Sequence, residues 1–144
     1  MTTYSGEVSG TPLHAGAASG RILKLDGPLS FWGGVDESGV IVDHHHPQCG
    51  TSVRGRLLTM TSGRGSSSSA SVLAELLRTG NGPAAIVMGE PDAIVTLGAI
   101  VAGELYDRMT PVVVLGSHDF DLLADGMQAD VASGSDSATI QIVR

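Results

Sequence analysis

The stretch from Ala84 to Leu115 constrains the fold more than any other. Ala84-Ala85-Ile86-Val87-Met88 is a continuous apolar run, and so is Val112-Val113-Val114-Leu115. Short runs without polar alternation belong to strands covered on both faces, as in a parallel sheet with helices packed against it. Between them, Gly89-Glu90-Pro91-Asp92 reads as a helix start, with Pro91 suited to the first turn. Ile94, Leu97, Val101 and Leu105 then predict an apolar stripe facing the core. Gly98 and Gly103 fall inside that pattern and mark close packing if the helix forms. Thr110-Pro111 closes it. A strand–helix–strand unit of this kind predicts a right-handed parallel crossover.

Other elements follow the same logic. Arg21 to Leu25, Val40 to Val42, Val53 to Met60 and Ala138 to Val143 read as strands. Asp26-Gly27-Pro28 breaks the first, and Asp125-Gly126 reads as a hairpin turn. A helix over Val72 to Arg78 is stopped by Thr79-Gly80-Asn81-Gly82-Pro83. Residues 1–19 are small and polar and predict a short edge strand or an arm. At 144 residues the chain has the length of a single domain. Aromatics make up only 3%, so Val, Leu, Ile and Ala must build the core. The expectation is a strand-rich α/β domain with two main helices.

Charge and cysteine content narrow the function. The net charge is −7 with only 8 Lys and Arg, and no basic cluster exists to track a phosphate backbone, so nucleic acid is not expected as a partner. The lone Cys49 leaves no intrachain disulfide and no multi-cysteine metal site in this chain. No apolar run approaches the roughly 18 residues of a membrane span. Met1 to Gly6 shows no basic segment leading into an apolar one, so a cytoplasmic location is expected.

Residues Gly63-Arg64-Gly65-Ser66-Ser67-Ser68-Ser69-Ala70-Ser71 run directly into the first helix. The glycines let the backbone approach a ligand closely. The first helical turn offers unpaired N–H groups at the positive end of the helix dipole. Arg64 adds a cation, and the serines add rotatable hydroxyls. A carboxylate or phosphate is the natural occupant. The bland alternative is a flexible Gly/Ser loop. A Walker-type phosphate loop is excluded, because no Gly-Lys-Ser/Thr ends the turn. A hydrolytic triad of Ser66 with His46 or His118 and Asp43 or Asp119 lacks the Gly-x-Ser-x-Gly elbow.

Two further loops carry polar groups. Ser30 to Asp36 places Trp32 beside Gly33, Gly34 and Asp36, which suits a pocket wall as well as ordinary core. Asp43-His44-His45-His46-Pro47-Gln48-Cys49 invites a metal reading. Adjacent residues on an extended segment alternate in direction, however, and seldom converge on one tetrahedral ion. An interface or substrate-positioning loop fits better, and Phe31, Trp32, His45 and His46 are the candidate pocket or partner-facing residues.

Four blocks in order, Pro28-Leu29-Ser30-Phe31-Trp32-Gly33-Gly34-Val35-Asp36, Asp43-His44-His45-His46-Pro47, Gly63-Arg64-Gly65-Ser66-Ser67-Ser68-Ser69 and Pro83-Ala84-Ala85-Ile86-Val87, resemble the small subunit of aconitase X enzymes. They span most of residues 28–87. The resemblance implies an α/β fold of the swivelling β/β/α-barrel kind found in the aconitase swivel domain. It implies a large subunit that holds an iron–sulfur cluster, with no metal ligand on this chain. Activities of the family include dehydration of cis-3-hydroxy-L-proline and of mevalonate 5-phosphate.

In aconitases a Gly-Ser-Ser segment supplies an alkoxide-like base, and Gly65-Ser66-Ser67 matches it, so the resemblance makes Ser66 the candidate catalytic residue. Ser68 stands where aconitases carry a carboxylate-binding Arg, so that charge is not carried over. Arg64, Gly65, Ser67 and Ser68 are the candidate substrate-binding residues. The lead expectation is thus the small subunit of a hydro-lyase, active only with its large subunit. The scarcity of lysine beside abundant Gly, Ala, Arg and Asp tilts the substrate toward cis-3-hydroxy-L-proline. The alternatives are a mevalonate 5-phosphate dehydratase small subunit, a non-catalytic anion-binding module built on the Ser loop, and a regulatory or metal-binding protein built on Asp43 to Cys49.

Overall fold

The computed structural model describes residues 6–63 and 67–143. Among the described residues, seven strands close into a barrel: β1 (Gly6–His14), β2 (Gly16–Lys24), β3 (Leu57–Met60), β4 (Ala85–Met88), β5 (Val112–Val114), β6 (Gln128–Ser133) and β7 (Ala138–Val143). Their order round the barrel is β1-β5-β4-β3-β2-β6-β7, with β1 pairing β7 to close it. Strands β2, β3, β4 and β5 are mutually parallel, and the remaining pairings are antiparallel. A helical turn α1 (Phe31–Gly34) and helices α2 (Ser68–Thr79), α3 (Ala93–Tyr106) and α4 (Ser117–Leu122) complete the chain.

The apolar runs of β4 and β5 have a direct structural cause. Ala85 and Val87 point into one core, which fills the barrel with Val8, Ile22, Leu57, Val113, Val131 and Ile140. Ile86 and Met88 point into a second, beneath α2 and α3, with Leu58, Met60, Leu73, Leu76 and Val95. Each alternate side chain is therefore buried, but in a different layer. Parallel β4 and β5 are joined through α3, as the sequence pattern requires.

Several expectations need correction. Residues 6–14 are neither an edge nor an arm: β1 bonds β7 on one side and β5 on the other. The strand expected from Val53 begins only at Leu57, because Arg54 and Gly55 lie in a turn. Val40 and Ile41 form isolated bridges to Ser52 and Val35 rather than a strand. Asp125-Gly126 connects α4 to β6, not two strands, and the Gly126 N–H donates to the Ile22 carbonyl. Pro91 precedes the N-cap, which is Asp92.

The largest correction concerns α3. The stripe of Ile94, Leu97, Val101 and Leu105 does not face the core; Val95, Gly98, Ala99 and Ala102 do. A Cβ on Gly98 would lie 2.9 Å from Leu73 Cδ2 and 3.0 Å from the Ala70 carbonyl oxygen. Small residues let α3 approach α2 closely, and the larger apolar side chains are left outside. Gly103 is likewise in close contact, with His14 Nε2 3.1 Å from where its Cβ would be.

Candidate functional site

Parallel strands deliver their following loops to one edge of a sheet, where ligands of α/β folds gather. Here β2 leads to Ser30 and Trp32, β3 to Gly63 and the Ser loop, and β4 to Asp92. The described ends of the Ser loop, Gly63 and Ser67, thus follow the strand that lies between β2 and β4. Arg64, Gly65 and Ser66 lie outside the described residues. On either side of them, Gly63 bridges Leu29 in parallel, and Ser67 caps α2 with its side chain making no cap bond. Ser67 and Ser68 are exposed at the first turn of α2. Their hydroxyls and the unpaired amides of that turn favour an anion.

Ser69 does something different. It is buried, and its Oγ accepts the Trp32 N–H at 3.2 Å and lies 3.3 Å from Ser30 Oγ. Ser30 Oγ donates to the Trp32 carbonyl at 3.0 Å. The end of the serine run is therefore latched to the Trp32 turn. Trp32 itself is 62% exposed, beside the loop. The sequence did not single out Ser69 as a latch, since nothing in a run of like residues distinguishes one hydroxyl.

Asp92 is the neighbour that sequence reasoning missed as part of this site. Its Oδ1 accepts from the Ile94 and Val95 amides at 2.9 and 3.0 Å, a regular N-cap. Its Oδ2 faces Gly63, and a Cβ there would lie 2.6 Å from it. Only glycine allows the Ser loop to leave β3 this close to a carboxylate. Leu29, Phe31, Gly63, Ser69, Asp92 and Val95 enclose a small cavity of about 80 Å³ there. The Gly-x-Pro-Asp lead-in to a helix was the available signal for the cap, but not for its neighbour across the sheet edge.

Of the four candidate pocket or partner-facing residues, two are buried within the chain, and of these Phe31 lines a pocket while His46 holds its own loop. Phe31 is 1% exposed and packs into the core, forming the floor of the small cavity rather than an outer surface. His46 is 7% exposed; its Nδ1 accepts the Gln48 N–H at 3.0 Å and its Nε2 donates to the Gly27 carbonyl at 3.1 Å. That imidazole ties its own loop to the turn after β2. His45 is exposed, and its N–H donates to Asp43. Side-chain hydrogen bonds tie the His loop to Asp26 and Gly27.

Asp36, the acid near Trp32, is occupied locally. The Ser38 hydroxyl and the Val40 amide donate to its Oδ1 at 2.7 and 3.0 Å and hold its carboxyl below the ordinary range. A groove of about 640 Å³ lies between this turn and the flank of α2, lined by Val35, Asp36, Ser71, Val72 and Glu75 among others. Among the described residues no group of three or more His, Cys, Asp or Glu is arranged to hold a metal. Cys49 is exposed, with His44 Nδ1 4.0 Å from its sulfur. An iron–sulfur cluster does not fit these residues. No helix among them is long and apolar enough to cross a membrane.

The chain belongs to the aconitase X swivel domain family, which matches residues 7–142. It is 50% identical over 123 residues, 85% of its length, to the cis-3-hydroxy-L-proline dehydratase of Pseudomonas aeruginosa, and spans 21% of that protein. It is 35% identical over 127 residues to the phosphomevalonate dehydratase small subunit of Methanothermobacter thermautotrophicus, covering 87% of this chain and 92% of that one. The crystal structure of Thermococcus kodakaraensis aconitase X in its holo-form superposes with a TM-score of 0.82 at 30% identity, covering 96% of this chain and 99% of that chain.

Proposed function

We propose that this chain is the small subunit of a cytoplasmic, heteromeric iron–sulfur hydro-lyase that dehydrates cis-3-hydroxy-L-proline. The observation that carries the substrate is the 50% identity to a dehydratase of that name, against 35% to the phosphomevalonate small subunit. A second reading, dehydration of mevalonate 5-phosphate, draws on size: this chain spans nearly the whole of that small subunit but only a fifth of the proline relative.

In the proposed reaction the bond from hydrogen to the carbon alpha to the carboxylate breaks, the 3-hydroxyl leaves, and water is released. Ser66 takes the alpha proton. A serine is a weak base in water and becomes effective where amides, a helix N-terminus and a cation stabilise its alkoxide. The start of α2 and Arg64 are suited to that task. Arg64, Gly65, Ser67 and Ser68 hold the substrate carboxylate, whose charge must be offset as the proton leaves. A cluster held by the large subunit would supply a Lewis acid for the departing hydroxyl.

The test is reconstitution. Each subunit alone should be inactive and the isolated small chain colourless, whereas the mixture should dehydrate cis-3-hydroxy-L-proline faster than mevalonate 5-phosphate. The reverse preference would select the second reading, and an iron–sulfur absorbance band in the homogeneous small chain would overturn the two-subunit arrangement.

Trp32 gives an independent readout. It is the only tryptophan, exposed, and linked to the serine run through Ser69. Trp is enriched at interface hot spots. Adding a tryptophan-free variant of the large subunit should shift its emission to the blue, as burial in an apolar contact does. An unchanged spectrum at saturating partner would remove Trp32 from the interface.

A further inference from the structure

We propose that the outward face of the first two turns of α3 is a docking surface for the large subunit. The inference rests on the hydro-lyase reading above and adds a second contact area, distinct from the Trp32 turn. Helix α3 carries one charged side chain, Glu104, along its whole length. A surface helix ordinarily turns its largest apolar groups inward. This one turns Gly98, Ala99 and Ala102 inward and leaves Leu97 45% and Ile100 40% exposed. Leu13, Pro91, Ala93, Leu97 and Ile100 line a groove of about 480 Å³ on that face, and its walls are almost wholly apolar.

Position and charge identify the occupant. Asp92 borders both this groove and the cavity beside Gly63, so the apolar face begins where the site ends. A partner that covers the edge formed by Gly63 and Asp92 lies against the first turns of α3. The Pseudomonas relative extends far beyond the 21% matched by this chain, so polypeptide able to cover this face exists there. A second copy of this chain is disfavoured, since each carries a net charge of −7.

The experiment measures binding of tagged small chain to the aconitase X large subunit of the same organism. The variant Leu97→Glu/Ile100→Glu should weaken the complex by at least about a hundredfold, because two carboxylates would be desolvated against apolar surface. Its circular dichroism and melting should match the parent, as both positions are solvent-facing. Val143→Glu, an exposed apolar position on β7, should bind normally. If the double variant fails to fold, Leu97→Ser alone should still weaken the complex by about tenfold. Normal binding by a folded variant, with the parent also binding, would overturn this surface and leave the hydro-lyase reading intact. Failure of the parent to bind would overturn that reading and this surface with it. A parent dimer dissociated by the substitution, with large-subunit binding unchanged, would overturn the assignment in favour of a second copy.

Discussion

Replacing Ser66 by Ala should slow turnover of the reconstituted complex by about a hundredfold to ten-thousandfold, the usual range for removing a positioned acid–base group. Losing one loop hydroxyl should change stability by about 0.5 kcal/mol or less, so folding and assembly should be intact. KM should change far less than kcat, because the proton moves only in the chemical step. Neighbouring positions provide the contrast. Ser67→Ala should chiefly raise KM if its hydroxyl holds the carboxylate. Arg64→Lys should do so as well, since an ammonium cannot reproduce a bidentate guanidinium contact. Steady-state kinetics separates these outcomes; near-normal kcat for Ser66→Ala would remove the base assignment.

The largest effect on stability should come from Gly98→Val. Three added carbons would meet Leu73 and the Ala70 carbonyl at a point where even a Cβ has only 2.9 and 3.0 Å. A backbone oxygen cannot move aside as a side chain can, so α3 must shift away from α2. Overpacking of this kind costs about 3 kcal/mol, more than the helix gains from losing a glycine. A chain of this size should then melt roughly 10 °C lower. The effect should also reach the site, because α2 begins at the Ser loop and α3 at Asp92. Thermal melts check the first expectation and KM of the complex checks the second. Gly98→Ala should fall between parent and valine variant, since helix propensity offsets part of the clash.

The sequence was most legible where burial is two-sided. Strands β4 and β5 announced themselves because alternate residues enter two cores, leaving no polar face. Strand β7 was legible for the opposite reason: Ala138, Ile140 and Ile142 alternate with polar or exposed neighbours. Strand β1 was not, because Val8 is its only fully buried side chain and backbone ladders on both edges hold it. Such pairing leaves no hydrophobic period. Helix α3 misled in orientation because the large residues, which set the apparent stripe, are not those that fit against α2.

The site divides in the same way. The loop after β3 could be read from glycines, hydroxyls and the helix that follows, all contiguous in sequence. Asp92 could not, because its approach to Gly63 exists only once β3 and β4 lie side by side in parallel. His46 and Phe31 read as pocket or interface residues, since loop histidines and aromatics carry no sign of whether they hold the loop, line a pocket or serve a partner. The structure packs Phe31 into the core and gives His46 hydrogen bonds that hold its loop.

The central claim is that this chain contributes the base to a site completed by another subunit, and a competition titration tests it most directly. A fixed amount of large subunit is titrated with parent chain until dehydration of cis-3-hydroxy-L-proline reaches a plateau, and Ser66→Ala chain is then added in excess. The account predicts that the variant displaces the parent and drives activity toward zero, because it assembles normally but cannot take the proton. Activity that stays at the plateau while the variant demonstrably replaces the parent in the complex would contradict it.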